Sequence, residues 1–367
     1  MKHIAVMIKP ASSLCNMRCR YCFYGDEAAQ RESASFGVMR QETAEAVLER
    51  ILCCTEAKDH LSICFQGGEP TLAGLPFFRS FIRTAKETAK PGVQIDFQLQ
   101  TNGLLLDDDW CTFLKSEPFL VGLSLDGPKE LHDGARPDAA EAGTFRRVLA
   151  AKERLEAHHV PYNVLTVLTG AIARHPKAYW RFLVEQKIGY AQLIPCLGPL
   201  DGTKSDYALT AERYASFYAV LFAEWKAALQ KGEYISIKLF DDLINLLAHG
   251  EVNACGLLGS CQKQFVIEAD GSVYPCDFYC LDRYRIGSLT EQTFAKLYES
   301  EPLSAFLSEN TRPAACTSCP YVRICGGGCR RMRGGVYAGA DGVCGHRLLL
   351  DRIGTELLKT AAAFRRR

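Results

Sequence analysis

Cysteine is the residue type that sets this sequence apart, with 17 in 367 residues. Most of them fall into spaced sets. The first reads Cys15-Asn16-Met17-Arg18-Cys19-Arg20-Tyr21-Cys22, a CxxxCxxC pattern directly after an apolar run. Three thiolates at this spacing fit the corners of an iron-sulfur cluster. A cubic 4Fe-4S cluster normally takes four cysteine ligands, so three leave one iron open, and an open iron is where chemistry can happen. On spacing alone the alternative is a structural zinc site.

A second region carries Cys261, nine residues, Gly271, four residues and Cys276, then Cys316-xx-Cys319-x5-Cys325-x3-Cys329 and finally Cys344. Sets this dense suit fully ligated clusters that carry electrons, or two structural zinc sites of four thiolates each. Cys53, Cys54, Cys64, Cys111, Cys196 and Cys280 fall outside both sets. Most of these read as small buried apolar residues. Cys280, close behind Cys276, is an extra thiol without an assigned place.

The elements that must position these residues follow a βα rhythm as far as about Leu197. Strands are expected over residues 3–9, 61–66, 93–100, 119–125, 162–168 and 190–195. Helices are expected near 41–54, 75–89, 107–116, 144–158 and 176–186, with a longer amphipathic stretch at 211–230. This predicts an α/β fold, a partial (β/α)6 TIM-like barrel, with a C-terminal cysteine-rich iron-sulfur module. After about Gly250 the texture changes to glycines and hairpin signals. Ala269-Asp270-Gly271 reads as a hairpin turn, since glycine tolerates positive φ. A last helix is expected over 347–364. The expected domains are residues 1–232 for the barrel and 233–367 for the cluster module with its C-terminal helix.

Basic and acidic residues balance, 43 against 42, so the chain has no electrostatic footprint for nucleic acid or an acidic membrane. No apolar run is long enough to span a bilayer and the start is unlike a cleavable signal, which points to the cytoplasm. A secreted disulfide scaffold would be shorter. The basic end Arg365-Arg366-Arg367 reads as a solvated tail.

The CxxxCxxC pattern after the first strand resembles the radical SAM superfamily. That resemblance implies S-adenosylmethionine on the open iron as a source of a 5'-deoxyadenosyl radical, with the protein orienting the cofactor against one hydrogen. Motifs at the carboxyl ends of the strands then acquire roles. In Gln66-Gly67-Gly68-Glu69-Pro70 the glycines would admit the cofactor's methionine, and carbonyl oxygens and Glu69 would accept bonds from its ammonium. Ser124 would bond the ribose or the carboxylate, and Arg136 would grip the carboxylate. The backbones of Tyr21 and Leu197 would meet adenine.

The second cysteine region resembles the SPASM extension of radical SAM peptide modifiers. With Cys255 as an eighth ligand, the resemblance implies two more 4Fe-4S clusters, three in all: one on Cys255, Cys261, Cys276 and Cys329, the other on Cys316, Cys319, Cys325 and Cys344. Tyr274-Pro275-Cys276-Asp277-Phe278-Tyr279 resembles the anaerobic sulfatase-maturating branch. Ile8 to Ser13, Gln100 to Gly103 and Cys329-Arg330-Arg331 have the same look. That branch oxidises a Cys or Ser side chain of an unfolded or nascent sulfatase polypeptide to Cα-formylglycine. The implied roles are Asp277 as catalytic base, Tyr24 as a holder of the substrate backbone, an auxiliary cluster as electron acceptor, and flavodoxin or ferredoxin as electron donor. The rivals are a maturase that crosslinks a ribosomal peptide and a non-catalytic iron-sulfur or zinc protein.

Overall fold

Short β-branched runs with period-2 burial alternate with amphipathic helices, and the chain follows that rhythm. The computed structural model describes residues 2–252, 254–339 and 342–365; Arg366 and Arg367 of the expected tail lie outside the described residues. The barrel portion runs β1 (His3–Ile8), α1 (Phe23–Ala29), α2 (Gln41–Leu52), β2 (His60–Phe65), α3 (Leu75–Thr88), β3 (Gln94–Thr101), α4 (Asp108–Ser116) and β4 (Leu120–Ser124). It continues with α5 (Lys129–Ala135), α6 (Phe145–Ala157), β5 (Tyr162–Leu168), α7 (Pro176–Glu185), β6 (Tyr190–Pro195) and α8 (Ala211–Gln230). There follow β7 (Ser236–Ile237), α9 (Lys238–His249), β8 (Val266–Ile267), β9 (Ser272–Tyr274), β10 (Gly287–Ser288), α10 (Phe294–Tyr298), α11 (Glu301–Ser308), α12 (Val322–Cys325) and, last, α13 (Gly345–Phe364). All six expected barrel strands are present, each within a residue or two of its expected ends. Six helices among the described residues, α1, α5, α9, α10, α11 and α12, come in addition. No helix among the described residues is long and apolar enough to cross a membrane.

The chain forms two compact units that interleave in sequence. One holds Met1–Ser124, Arg136–Tyr162 and Lys263–Glu309; the other holds Leu125–Ala135, Asn163–Gln262 and Asn310–Arg367.

In the first unit the strand order is β10-β9-β8-β1-β2-β3-β4. Strands β1 to β4 are parallel and in step, with Ile8 opposite Phe65 and Phe65 opposite Leu99. Their carboxyl ends therefore lie on one side. Alternation decides which face is packed: Leu61, Ile63 and Phe65 of β2 are fully buried. The ring of Phe65 packs against Phe78 and Phe81 of α3 at 4.9 and 5.0 Å. Ser62, Cys64 and then Gln66 take the opposite face and stay half-buried. The expected hairpin forms with β8 and β9 antiparallel around Gly271. It is not free-standing, because β8 also pairs parallel with β1, Ile8 beside Ile267. Segment 263–309 thus extends the sheet that begins at the amino terminus.

In the second unit β5, β6 and β7 are parallel neighbours. Helix α8 buries Tyr214, Phe217, Tyr218, Leu221 and Trp225, and α13 packs on α8 and α9. Helix α9 ends at Gly250 in the left-handed conformation, a common helix stop.

Phe65→Ala would leave a cavity under α3 in a fully buried aromatic cluster. It should destabilise the chain by about 3–5 kcal/mol, read as a lowered urea midpoint.

Candidate active site and iron-sulfur ligands

The loop between β1 and α1 carries the cysteine triad, with Cys22 as the residue that caps α1. The Met17 N–H donates to Cys15 Sγ at 3.4 Å and the Cys22 N–H to the Cys19 carbonyl at 3.2 Å. Two backbone bonds tie this loop to the end of β2: Gly68 N–H to the Ser12 carbonyl and Glu69 N–H to the Leu14 carbonyl, both 2.8 Å. The approach is so close that a Cβ on Gly68 would sit 2.1 Å from the Leu14 oxygen. The glycine is required by the contact between the two loops themselves. A Cβ on Gly67, at φ +117°, would sit 2.9 Å from the Ser12 oxygen and 3.0 Å from Lys9 Cγ.

Glu69 is buried, and its carboxylate is engaged by the chain. Oε1 accepts from the Thr71 N–H and hydroxyl at 3.1 and 2.6 Å and from the Thr101 hydroxyl at 2.7 Å, while Oε2 accepts from the Asn102 N–H at 2.7 Å. Burial raises its pKa and these donors pull it back. Glu69 therefore staples the end of β2 to the end of β3, and Asn102 passes the staple on to Asn16 of the cysteine loop at 2.7 Å. Ser124, at the end of β4, accepts from Gln100 at 3.0 Å. Arg136 donates to the Tyr21 hydroxyl at 2.8 Å, so the expected carboxylate grip sits beside the triad. Leu197 belongs to the second unit, where Arg331 Nη2 holds the adjacent Gly198 carbonyl at 2.7 Å.

Asp277 lies in a single turn of 3-10 helix directly after Cys276, buried, at the centre of a polar cluster. Tyr24 Oη donates to its Oδ2 at 2.8 Å, and Gln66 Nε2 donates to the same oxygen at 3.1 Å and to Tyr24 Oη at 2.7 Å. Gln66, expected among the cofactor residues, has its side chain in the Asp277 group. The strand alternation that places Ser62 and Cys64 on the half-buried face puts it there. Lys9 Nζ lies 3.4 Å from Asp277 Oδ1, 3.6 Å from Glu27, 3.9 Å from Glu268, and donates to Cys280 Sγ at 3.1 Å. Arg31 pairs with Glu268 at 2.7 Å. The Cys280 N–H donates to Glu27 at 3.0 Å.

Burial opposes the charge on Lys9, but Cys280, Asp277, Glu27 and Glu268 outweigh it and hold the lysine above its usual range. Burial pushes the Asp277 carboxyl up, while Lys9 and the Tyr24 hydroxyl restrain the rise. Glu27 is pushed up to about 7 by burial against the pull of Lys9. The arrangement is a carboxylate more basic than usual, kept ionised by an adjacent cation and oriented by two donors. Such a group can accept a proton from a weak acid held beside it. Lys9, Glu27, Arg31, Glu268 and Cys280 carry no local motif that marks them as a group, and only folding assembles them.

In the second unit Cys316, Cys319, Cys325 and Cys344 line one cavity. Burial pushes the Cys325 thiol up to about 11; the Gly327 N–H relieves this, and Cys344, Cys316 and Cys319 add to it. Four thiolates gathered together repel one another, with Arg333 and Arg312 relieving only part of this at Cys316, so the donor set fits a metal core that binds them deprotonated. Cys261, Cys329 and Cys255 form the neighbouring group, and Cys329 accepts the Arg331 and Met332 N–H groups. Glycines make the overlap of these segments possible: a Cβ on Gly326 would meet the Leu258 oxygen at 1.9 Å, and one on Gly259 the Gly326 oxygen at 2.0 Å. Cys276, the fourth expected ligand, belongs to the first unit.

Two outcomes follow. Gly68→Ala should force the β2 loop off the cysteine loop at a cost of about 1–3 kcal/mol, measured by thermal unfolding together with iron bound per chain. Glu27, at about 7 in the folded chain and about 4.3 in the unfolded one, lets the native state hold the extra proton. Stability should therefore fall as pH rises through that window. Urea midpoints at pH 5 and pH 8 should show the fall, and Glu27→Gln should flatten it.

The chain is similar to known proteins over most of its length. Residues 10–177 match the Radical SAM superfamily and residues 255–320 the SPASM iron-sulfur cluster-binding domain. Among relatives, the cysteine-type anaerobic sulfatase-maturating enzyme of Clostridium novyi (strain NT) is 40% identical over 91% of this chain and 89% of its own length. The serine-type anaerobic sulfatase-maturating enzyme of Klebsiella aerogenes is 29% identical over 90% and 83%. A solved structure described as native anSMEcpe with bound AdoMet and Cp18Cys peptide superposes with a TM-score of 0.91, at 36% identity, covering 99% of both chains. With the cysteine triad, the SPASM cysteines and the Asp277 cluster in one sequence, and a cysteine-type relative alike across nearly its full length, this chain belongs to the anaerobic sulfatase-maturating enzymes of the radical SAM superfamily.

Proposed function

We propose that the chain oxidises a cysteine of a sulfatase polypeptide to Cα-formylglycine, with Asp277 as the base. The observation that carries this reading is the Asp277 carboxylate itself. It is buried, paired with Lys9 and held by Tyr24 and Gln66, one residue after Cys276. Cysteine is favoured over serine as the reacting residue by the closer likeness to the cysteine-type relative, 40% against 29% identity.

Cys15, Cys19 and Cys22 would hold the cluster with the open iron. Gly67, Gly68, Ser124, Arg136, Tyr21 and Leu197 would surround S-adenosylmethionine, and the eight further cysteines would hold the two auxiliary clusters. When bound, these groups supply the radical that removes the β hydrogen and the acceptor for the second electron. The chain's own residues handle the proton. Asp277 takes it from the substrate thiol, its basicity raised by burial. Lys9 keeps the carboxylate ionised until that moment. Tyr24 and Gln66 fix Oδ2, and the Tyr24 hydroxyl offers a handle for the substrate backbone. Glu69 acts as the staple that sets the distance between strand ends. The thioaldehyde that results adds water and releases hydrogen sulfide, giving the aldehyde. Residues 1–232 would carry the radical step and 233–367 the electron relay, in the cytoplasm, with flavodoxin or ferredoxin as the reductant.

The test is anaerobic reconstitution with dithionite, S-adenosylmethionine and a peptide containing Cys-x-Pro-x-Arg, followed by product mass. A loss matching thiol-to-aldehyde conversion supports the reading, whereas cofactor cleavage over an unchanged peptide points to a maturase of other peptides. Asp277→Asn should lower aldehyde formation at least about 100-fold with cofactor binding retained. Tyr24→Phe should lower it about tenfold. Full activity in Asp277→Asn would remove that residue from the mechanism.

A further inference from the structure

The cavity lined by Cys316, Cys319, Cys325 and Cys344 has two buried polar side chains in its wall that are not cysteines, Tyr337 and His346. His346 lines it beside Tyr337. It is 1% exposed, and its Nε2 is buried with no hydrogen-bond partner among the described residues. An unpaired imidazole nitrogen in such a place costs free energy unless something in the cavity receives it.

The other side of the ring is fixed. Nδ1 lies 3.5 Å from the buried Tyr214 hydroxyl, which in turn bonds Tyr337. The Tyr337 ring is 5.3 Å from the imidazole. His346 is the second residue of α13, straight after Gly345, where a Cβ would meet the Ala211 oxygen at 2.7 Å. The backbone there is closely packed. Ring and backbone are thus both held so that Nε2 has no chain partner to turn to.

We infer that His346 is a positioning residue for the auxiliary cluster on these four cysteines, its Nε2–H donating a hydrogen bond to a sulfur of that cluster. The inference rests on the ligand set proposed above. Thiolate and sulfide sulfurs are acceptors only, so a loaded site selects the tautomer with the proton on Nε2 and leaves Nδ1 to accept from Tyr214. Partners of this kind tune a metal centre from outside its ligand shell. A donated N–H stabilises the more negative, reduced cluster and raises its reduction potential.

The experiment is an anaerobic redox titration, followed by electron paramagnetic resonance, of reconstituted full-length enzyme in which Cys15, Cys19 and Cys22 are replaced by alanine to silence the first cluster. In H346F the reduced-to-oxidised ratio of one auxiliary cluster at fixed potential should fall about tenfold, a downward shift of about 59 mV for a one-electron couple. The other cluster should not move, and H346Q, which keeps an N–H donor, should recover most of the shift. A second measurement needs no substitution at His346. With 15N-histidine incorporated, the reduced cluster should show a weak imidazole nitrogen coupling. Absence of that coupling from a cluster confirmed to be present, or an unmoved potential in H346F, overturns the inference. Failure of the ligand assignment looks different: C316A with C325A would then leave the auxiliary iron content unchanged.

Discussion

A buried lysine is the constraint on which the catalytic half of the molecule depends. Lys9 is 2% exposed, and a lone ammonium there would be intolerable without partners. The balance around it is specific. Arg31 already answers Glu268 at 2.7 Å, and Glu27 is raised to about 7, so it surrenders its charge readily. Asp277 is left as the main counterion of Lys9. Removing the lysine would strand a buried carboxylate, and removing the carboxylate would strand a buried ammonium. Each therefore holds the other in its charged form and in place. The backbone reinforces the pairing, since the Lys9 N–H donates to the Ile267 carbonyl of β8 at 2.8 Å, and β8 opens the hairpin that leads to Asp277.

Local spacing singles out the cysteine triad and the glycine loop, each written within a few consecutive residues, whereas the eight auxiliary cysteines, spread from Cys255 to Cys344, and the role of Asp277 take their meaning from a family resemblance. The six barrel strands were legible for the same reason, as period-2 runs between amphipathic helices. Helix α1 was not. It has seven residues, includes Gly25 and has no side-chain cap, so no pattern announces it. Helix α9 did leave a signal, in buried Phe240, Leu243 and Ile244 with a glycine stop, that the broader change of texture after Gly250 obscured. The hairpin at Gly271 was readable, whereas its parallel pairing with β1 was not, since the partner strand lies more than 200 residues upstream and nothing local encodes it.

The glycines mark a second limit of sequence reasoning. In Gln66-Gly67-Gly68-Glu69 they suggested room for a ligand, and Glu69 suggested an acceptor for it. In the structure Gly68 is filled by the Leu14 carbonyl and Glu69 by four donors of the chain. Their first effect is to fix the cysteine loop to two strand ends, which any cofactor there would need. Gly326 and Gly259 do the corresponding work in the second unit, letting the segment of Cys255 and Cys261 lie directly on that of Cys325 and Cys329. Loss of a Cβ can serve close packing of two backbones as well as access for a small molecule, and sequence cannot tell which.

The chain also limits how far proton and electron can be separated. Oxidation of a thiol-bearing carbon after hydrogen removal releases one of each, and parting them in a low-dielectric interior is costly. Asp277 and Cys276 are adjacent residues, so under the proposed roles the base and the ligand toward the electron acceptor would share one peptide unit. Their turn packs on α1, with Phe278 against Phe23 at 4.9 Å, and α1 begins immediately after Cys22. Two cysteine sets far apart in sequence are thereby joined through a few rigid residues, Cys22-Phe23-Tyr24 facing Cys276-Asp277-Phe278, with the Tyr24 hydroxyl bonding Asp277 across the join. If Asp277 is the base proposed above, a substrate side chain admitted to that join would meet a carboxylate already fixed by Tyr24 and Gln66, and orientation of that kind lowers a barrier.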